Sequence, residues 1–225
     1  ITYIPWVEIK RKTGYKMLLS LSKHASCVIL DDYPTYTPNK ILRAAPKILK
    51  LRVDAVDSNG ILPMMWAEKE FTTAYSFRKY MQKSLVDALQ TIPTMNSMDG
   101  VGDNLSLTSD DLEFLREETG LEATPLEWLW RVAEGGTVGD RAMADFPIDH
   151  SVPAVKETIG GIDEARMRLQ KFLNYKLNKY SIDRNNPDTP AVSGLSPWLH
   201  FGHISSFEII EKVFAKENWS VDSLN

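Results

Sequence analysis

Helical and strand patterns alternate over the first hundred residues. Apolar residues recur at helical spacing over 14–25, and the continuous apolar run 27–30 is typical of a buried parallel strand. A helix over 39–45, broken near Pro46, precedes a second strand over 51–56. Because strands alternate with helices, the pattern predicts an α/β layer architecture for this half of the chain.

The clearest helix comes at the end of this half. Residues 61–66 predict a further extended segment, and a helix follows over 73–90. Within it Phe77, Met81 and Leu85 lie four residues apart, so they share one face. We therefore place an α/β domain over residues 1–92.

After residue 92 the pattern changes to one of helices and loops. Residues 93–108 gather Pro, Gly and Asn without periodicity, which predicts a linker, and residues 109–225 form a second, helical domain. Its first two predicted helices cover 109–119, with Ser109 or Asp110 as the cap, and the segment from Pro125 to Gly135. Two more cover 163–180 and the segment that begins at Ser205, where Glu208 completes a capping box.

Composition narrows the class of protein. With 43% apolar and 25% charged residues, the 225-residue chain can bury a substantial core. Its single cysteine, Cys27, excludes an internal disulfide and a cysteine-based metal site, and inside the first strand we expect this thiol to be inert. No apolar stretch approaches the roughly 18 residues of a membrane helix. Since the chain opens at Ile1 without Met, we expect it to be an internal segment of a longer polypeptide.

The net charge of −4 conceals three blocks of opposite sign. Residues 1–52 carry ten basic and three acidic side chains, residues 96–140 two basic and eleven acidic, and residues 165–184 six basic and one acidic. Such blocks are compatible with solvated faces or with faces that meet different partners, and a basic helix suits phosphates.

Residues 193–197, Ser-Gly-Leu-Ser-Pro, form a small-residue turn that leads into a short helix. N–H groups at a helix start, two hydroxyls and a glycine that permits close approach suit a phosphate or diphosphate. Tyr180 and Arg184 could add a phenol donor and a cation. The same spacing also fits a plain helix cap made by Ser193 or Ser196, so both interpretations stay open.

Longer runs around this turn are more specific. They are Arg-Asn-Asn-Pro at 184–187 and Leu-Ser-Pro-Trp-Leu-His-Phe-Gly at 195–202, preceded upstream by Asp-Asp-Tyr-Pro at 31–34, Val-Asp-Ser-Asn-Gly-Ile-Leu-Pro at 56–63 and Tyr-Ser-Phe-Arg-Lys-Tyr at 75–80. Together these runs resemble the photolyase and cryptochrome family. The His-Phe-Gly ending is most similar to the class II cyclobutane pyrimidine dimer photolyases.

The resemblance implies a fold and a cofactor. Residues 1–92 would be the C-terminal part of a Rossmann-like antenna domain, and residues 109–225 the start of a helical FAD-binding domain. Tyr180 matches the family's tyrosine at the phosphate region of FAD. The loop around the diphosphate is matched by Ser193, Gly194, Leu195 and Ser196. His203 departs from the glutamine usual in this class. A second, antenna chromophore is also implied, but the motifs do not identify it.

The implied function is light-dependent DNA repair, in which FAD-mediated electron transfer splits cyclobutane pyrimidine dimers. Damaged DNA would be the partner, and we expect a monomer in the bacterial cytoplasm or the eukaryotic nucleus. Two alternatives stay open: a cryptochrome-like FAD-binding signalling protein without repair activity, and an α/β nucleotide-binding protein without flavin. Because the family's catalytic residues would lie beyond Asn225, we expect this chain alone to bind FAD poorly and to be inactive.

Other chemically suggestive side chains have simpler structural interpretations. We expect His200 to be a packed helix residue rather than a proton donor, and Trp128 and Trp130 to be core or interface aromatics. His24 and His150 have no partner pattern. The acidic pairs at 31–32 and 110–111 are interpreted as turn and cap residues.

Overall fold

The computed structural model describes residues 2–4, 6, 8, 13–93, 106–119, 149, 151–152, 155 and 157–221. The chain divides into two compact units, one from residues 1–58 and 98–156 and the other from residues 59–97 and 157–225. The predicted boundaries at 1–92, 93–108 and 109–225 differ from this grouping and stay a prediction about domain organisation. The predicted helix from Pro125, with Trp128, Trp130 and His150, falls outside the described residues.

The first unit contains a parallel βαβ arrangement. Strand β1 (Cys27–Asp31) pairs with β2 (Arg52–Val56), so that Cys27 lies opposite Arg52 and Asp31 opposite Val56. The connection is α2 (Tyr36–Ile48), which packs on both strands and includes the buried Ala45. Pro46 does not end this helix near residue 45 as predicted, because a proline close to the end removes one hydrogen bond without stopping the last turn. The α/β character predicted for this region is thus present as a small parallel sheet with helices.

The exposure of β1 differs from the prediction. Its side chains alternate, with Val28 and Leu30 half-buried and Cys27 and Ile29 exposed. The expectation of a buried strand with a protected thiol is therefore wrong for Cys27. A parallel strand is buried on both faces only where other layers cover both. In the described part of the chain, the side of β1 that carries Ile29 lacks such a cover, and Ile29 is 65% exposed.

Two further helices complete the described part of this unit. Helix α1 (Thr13–Ser22) packs against α4 (Ser109–Thr119), and the ring of His24 meets that of Phe114 edge-on at 5.1 Å. The cap of α4 is Thr108 rather than the predicted Ser109 or Asp110. Its Oγ1 accepts from the Asp111 N–H at 3.2 Å, while Asp111 Oδ2 accepts from the Thr108 N–H at 2.8 Å. These reciprocal bonds satisfy N–H groups that a helix start leaves without partners.

The second unit begins with a short 3₁₀ turn and a long helix. Residues 61–66 are not extended as predicted, since a bend leads into the 3₁₀ turn Met64–Trp66 and the Tyr80 hydroxyl donates to the Trp66 carbonyl. Helix α3 (Ala74–Gln90) confirms the predicted helix. Its N-cap is Thr73, whose side chain accepts from the Ser76 N–H.

From residue 157 onward, the described part of the second unit contains helices joined by turns. It comprises α5 (Ile162–Tyr175), a 3₁₀ turn (Leu177–Lys179), α6 (Tyr180–Asp183), α7 (Ser196–His200) and α8 (Ser206–Glu217). The single helix predicted over 163–180 is interrupted at Lys176, where φ is −126°. The hydrophobic core joins α5 to α7 and its flanks through Ala165, Leu169, Phe172, Leu173, Leu195, Trp198 and Ile204.

A salt bridge links α5 to α8. Arg166 Nε donates to Glu208 Oε1 at 2.7 Å, and the Glu208 side chain is only 9% exposed. The hydrogen bond and the charge of Glu208 raise the pKa of Arg166. Ser205 is the N-cap of α8 as predicted, and its hydroxyl accepts from the Phe207 N–H. The predicted capping box is wrong, because both carboxylate oxygens of Glu208 accept from Arg166 instead. No helix in the described part of the chain combines the length and apolar character that a membrane crossing needs.

The Thr108–Asp111 cap predicts a pH dependence. The Thr108 hydroxyl and, second, its N–H lower the pKa of Asp111. Since the folded-state pKa lies below the unfolded value of about 3.9, the cap contributes its full stability above that pH and loses it as the pH falls through the lowered pKa. An NMR titration of the Thr108 amide should show a midpoint below about 3.9. The matched variant Asp111→Asn should remove this titration, and a midpoint at or above the ordinary value would contradict the cap.

Candidate functional site

The turn at residues 193–196, here called the 193–196 loop, precedes α7 and is held from two sides. Just before it, Lys176 Nζ donates to the Pro190 carbonyl at 3.3 Å, and the Ala191 N–H donates to the Asp183 carbonyl at 3.2 Å. Within the loop Leu195 is 1% exposed, and its side chain belongs to the core. The loop is therefore fixed both to the end of α6 and to the hydrophobic core.

The plain-cap interpretation of the loop does not fit the structure. Helix α7 follows Leu195, which makes no side-chain cap bond, and Ser196 is already the first helical residue. Ser193 Oγ accepts a long bond of 3.4 Å from the Leu195 N–H, which lies before the helix. Neither serine thus caps α7 in the usual way, through the second or third N–H of the helix.

Gly194 occupies a backbone position that favours glycine, and its missing side chain lies next to Arg168. Its φ of +67° lies in the left-handed region, which costs other residues about 1–2 kcal/mol. A Cβ added there would lie 3.1 Å from both Nε and Nη2 of Arg168. The guanidinium of α5 therefore covers the side of Gly194 that has no side chain.

Arg168 in turn rests on a fixed aromatic ring. Its guanidinium carbon lies 5.8 Å from the ring centre of Trp198, within cation–π range. Trp198 is 4% exposed, and its Nε1–H donates to the Ile159 carbonyl at 3.0 Å. The motifs do not point to Arg168, but helical spacing could have done so, since Arg168 borders the buried stripe formed by Ala165 and Leu169.

Tyr180 lies on α6 and is 38% exposed. Its ring meets Phe172 edge-on at 5.7 Å, and the guanidinium of Arg184 lies 5.9 Å from its centre. Tyr180 and Arg184 are thus brought together as the sequence suggests. Among the described residues, Tyr180 makes no hydrogen bond or ring contact with the 193–196 loop. The Ala191 N–H, just before the loop, donates to the Asp183 carbonyl at the end of α6.

The serines, the glycine and the leucine of the loop present different groups. Because the side chain of Leu195 is buried, only its main chain could meet a ligand. Gly194 offers main chain alone, while Ser193 and Ser196 add hydroxyls. Together with the nearby guanidinium of Arg168, these groups form a set of hydrogen-bond donors whose chemistry matches phosphate oxygens.

His203 has a specific partner that the sequence did not reveal. Its Nδ1 accepts from the Gly161 N–H at 3.1 Å, and Gly161, with φ of +103°, immediately precedes α5. In the neutral ring the proton must therefore sit on Nε2. The bond joins the start of α5 to the turn after α7.

The remaining candidate side chains have local roles. His200 is exposed with its ring 4.7 Å from that of Phe201, so the expectation of a residue packed in the helix core is wrong. A helix of five residues has too few turns to bury every side.

Asp31 accepts from the Ser58 hydroxyl, which links the ends of the two parallel strands as a turn contact. Among the described residues, no group of His, Cys, Asp and Glu side chains suits a metal ion.

Replacing Gly194 by alanine tests both constraints on this position. We expect Gly194→Ala to lower the free energy of unfolding by about 1–2 kcal/mol. Gly202→Ala should cost a similar amount, because Gly202 has φ of +69° but open space around its missing Cβ. Gly60→Ala should cost nothing, since Gly60 has open space and no left-handed φ.

Chemical denaturation and two-dimensional NMR measure the comparison. Only Gly194→Ala should shift the Nε–H resonance of Arg168 and the indole resonance of Trp198. If Gly194→Ala and Gly202→Ala had the same effect on the Arg168 and Trp198 resonances, the contact between Gly194 and Arg168 would be contradicted.

The hydrogen-bond acceptor at residue 203 should contribute more to the stability of the fold than the rest of the imidazole ring. We expect His203→Gln to keep the fold near its original stability, because the glutamine Oε1 can accept from the Gly161 N–H. His203→Leu removes the acceptor and should cost about 1 kcal/mol. Denaturation curves measure the difference, and amide exchange at Gly161 should be faster only in the leucine variant. Equal stability of the two variants would show that the bond contributes nothing.

Comparison with known proteins adds independent information. No protein-family model matches the chain. Curated proteins that match include three named deoxyribodipyrimidine photo-lyase. That of Arabidopsis thaliana is 28% identical over 193 residues, covering 81% of this chain and 33% of the relative. That of Potorous tridactylus is 32% identical over 87 residues, which cover 39% of this chain and 14% of the relative. That of Oryza sativa subsp. japonica is 58% identical over 36 residues, which cover 16% of this chain and 7% of the relative.

The chain matches about a third of the length of the Arabidopsis thaliana relative. The names of these three relatives agree with the family that the motifs resemble. The resemblance to the photolyase family is therefore confirmed, and over 81% of its length this chain is similar to a deoxyribodipyrimidine photo-lyase.

Proposed function

We propose that the whole protein carrying this chain is a light-dependent DNA-repair lyase that splits cyclobutane pyrimidine dimers, of the class II type. The observation that carries the proposal is the match to a photo-lyase over 81% of the chain. This chain also contains the 193–196 loop, whose donors are chemically suited to a diphosphate. The similarity to a photo-lyase and the chemistry of the loop thus both support FAD as the cofactor.

The residues of the loop fit FAD at its diphosphate. Gly194 lets the main chain approach a ligand closely, and Ser193 and Ser196 offer hydroxyls beside it. Leu195 would contribute its main chain only, because its side chain is buried. Tyr180 would contribute its phenol from α6. When bound, FAD would supply the electron-transfer chemistry, whereas these residues bind and orient its diphosphate.

Damaged DNA is the proposed substrate. Exposed cations of the basic block from 165 to 184 include Lys171, Lys179 and Arg184. Such side chains can neutralise phosphates even though the whole chain carries a net charge of −4. A dimer that stacks and pairs poorly costs less to flip out of the duplex than a normal pair. We propose that the protein acts as a monomer where DNA is found, in the bacterial cytoplasm or the eukaryotic nucleus.

A repair assay on the full-length protein tests the proposal. Duplex DNA with a single thymine dimer is incubated under blue light or in the dark, and intact thymines are quantified by chromatography. We expect dimer loss only in the light, together with bound flavin and an affinity for damaged duplex that falls steeply with salt. As a control, the variant Gly60→Ala should repair normally, because Gly60 has open space and no left-handed φ.

The assay also separates the alternatives. Bound flavin without light-dependent dimer loss would overturn the repair function and favour a cryptochrome-like signalling protein. A full-length protein without flavin absorbance would instead favour a nucleotide-binding α/β protein. An affinity for damaged duplex that does not change with salt would count against the proposed phosphate contacts.

A further inference from the structure

We propose that Arg168 is a phosphate-binding residue of the 193–196 loop, and that its guanidinium donates to the oxygens of a diphosphate bound beside Gly194. The inference rests on the proposed function, because it requires that a diphosphate occupies the loop. It adds a residue from outside the motif, since Arg168 lies on α5.

The first support is the position of the guanidinium. Nε and Nη2 of Arg168 are each 3.1 Å from the place where a Cβ of residue 194 would be. The guanidinium therefore occupies the bare side of Gly194, and a ligand that lies beside it can contact its N–H groups together with the hydroxyls of the loop. A planar guanidinium with two adjacent N–H groups matches a pair of phosphate oxygens better than a single ammonium does.

The second support is that the charge of Arg168 is available. In the described part of the chain no carboxylate forms an ion pair with Arg168, and its side chain is exposed. Arg166, two residues earlier, is instead committed to the nearly buried Glu208 at 2.7 Å. Two arginines of one helix thus have different roles, and only one is free to meet an anion.

The third support is that the guanidinium is already oriented. The ring of Trp198 is buried and held by its bond to the Ile159 carbonyl, so it forms a fixed surface under Arg168. The cation–π contact, at 5.8 Å from the ring centre, leaves the N–H groups of the guanidinium for another partner. A side chain oriented in this way loses less conformational freedom on binding.

A titration of the full-length protein, freed of flavin, with inorganic pyrophosphate tests the inference. Amide resonances of Gly194 and Leu195 report binding by NMR. We expect Arg168→Gln to weaken binding about threefold to tenfold, and Arg168→Lys to recover part of the loss. Lys212→Gln, which removes one exposed lysine on α8, should leave the affinity unchanged. The loss caused by Arg168→Gln should shrink at high salt, because screening weakens an exposed charge contact but not a packing role.

Each outcome assigns the role of Arg168. If the unsubstituted full-length protein binds and its Arg168→Gln variant binds equally well, Arg168 is not a phosphate ligand, while the loop and the proposed function stand. If both substitutions at 168 shift the loop resonances before ligand is added and lysine recovers no affinity, Arg168 is only a packing residue and the inference fails. If pyrophosphate does not perturb Gly194 in the full-length protein without substitutions, the inference and the assignment of the diphosphate to this loop both fail. The repair assay on the full-length protein decides the proposed function separately.

Discussion

Burial of the Leu195 side chain against α5 is the contact on which the arrangement of the site depends. Leu195 is 1% exposed and packs in a cluster with Ala165, Leu169 and Trp198. Removing such a leucine side chain from water contributes about 1.5–3 kcal/mol, more than any one hydrogen bond of the loop. Because Leu195 is anchored inward, Gly194 beside it is held at the edge of α5 with its bare side toward Arg168. The apolar contact thus determines where the polar groups of the loop point.

Two hydrogen bonds reinforce this anchor from the same short segment. The Ile159 carbonyl accepts from the indole of Trp198, and the Gly161 N–H donates to His203 Nδ1. Both bonds connect the residues just before α5 with α7 and the turn after it. A shift of α5 along its axis would therefore disturb the core, the indole and His203 together, so the loop and the helix that bears Arg168 keep a constant relation.

Local signals predicted much of the fold, and non-local contacts account for what they missed. Helix α3 follows directly from the four-residue spacing of its apolar side chains and the cap at Thr73. The 193–196 loop also carried its own signal, as a glycine between two serines before Pro197. By contrast, the exposure of Cys27, the interruption at Lys176 and the partners of Arg168 depend on which segments pack together. A periodicity within one element contains no information about its neighbours, and a terminal position in a strand does not reveal whether another layer covers it.

The basic block on α5 and α6 shows why net charge is a poor guide to partners. Arg166 is neutralised by Glu208, and Lys176 is held by the Pro190 carbonyl, so these two cations already have partners within the fold. Arg168 lies over Gly194, where its charge acts at one point of the main chain. The electrostatic potential near the loop is consequently determined by individual charged side chains within a few ångströms. Screening at physiological salt suppresses the contributions of charges beyond about 8 Å. A chain with a net charge of −4 can for this reason present a locally cationic surface to a diphosphate without a basic overall composition.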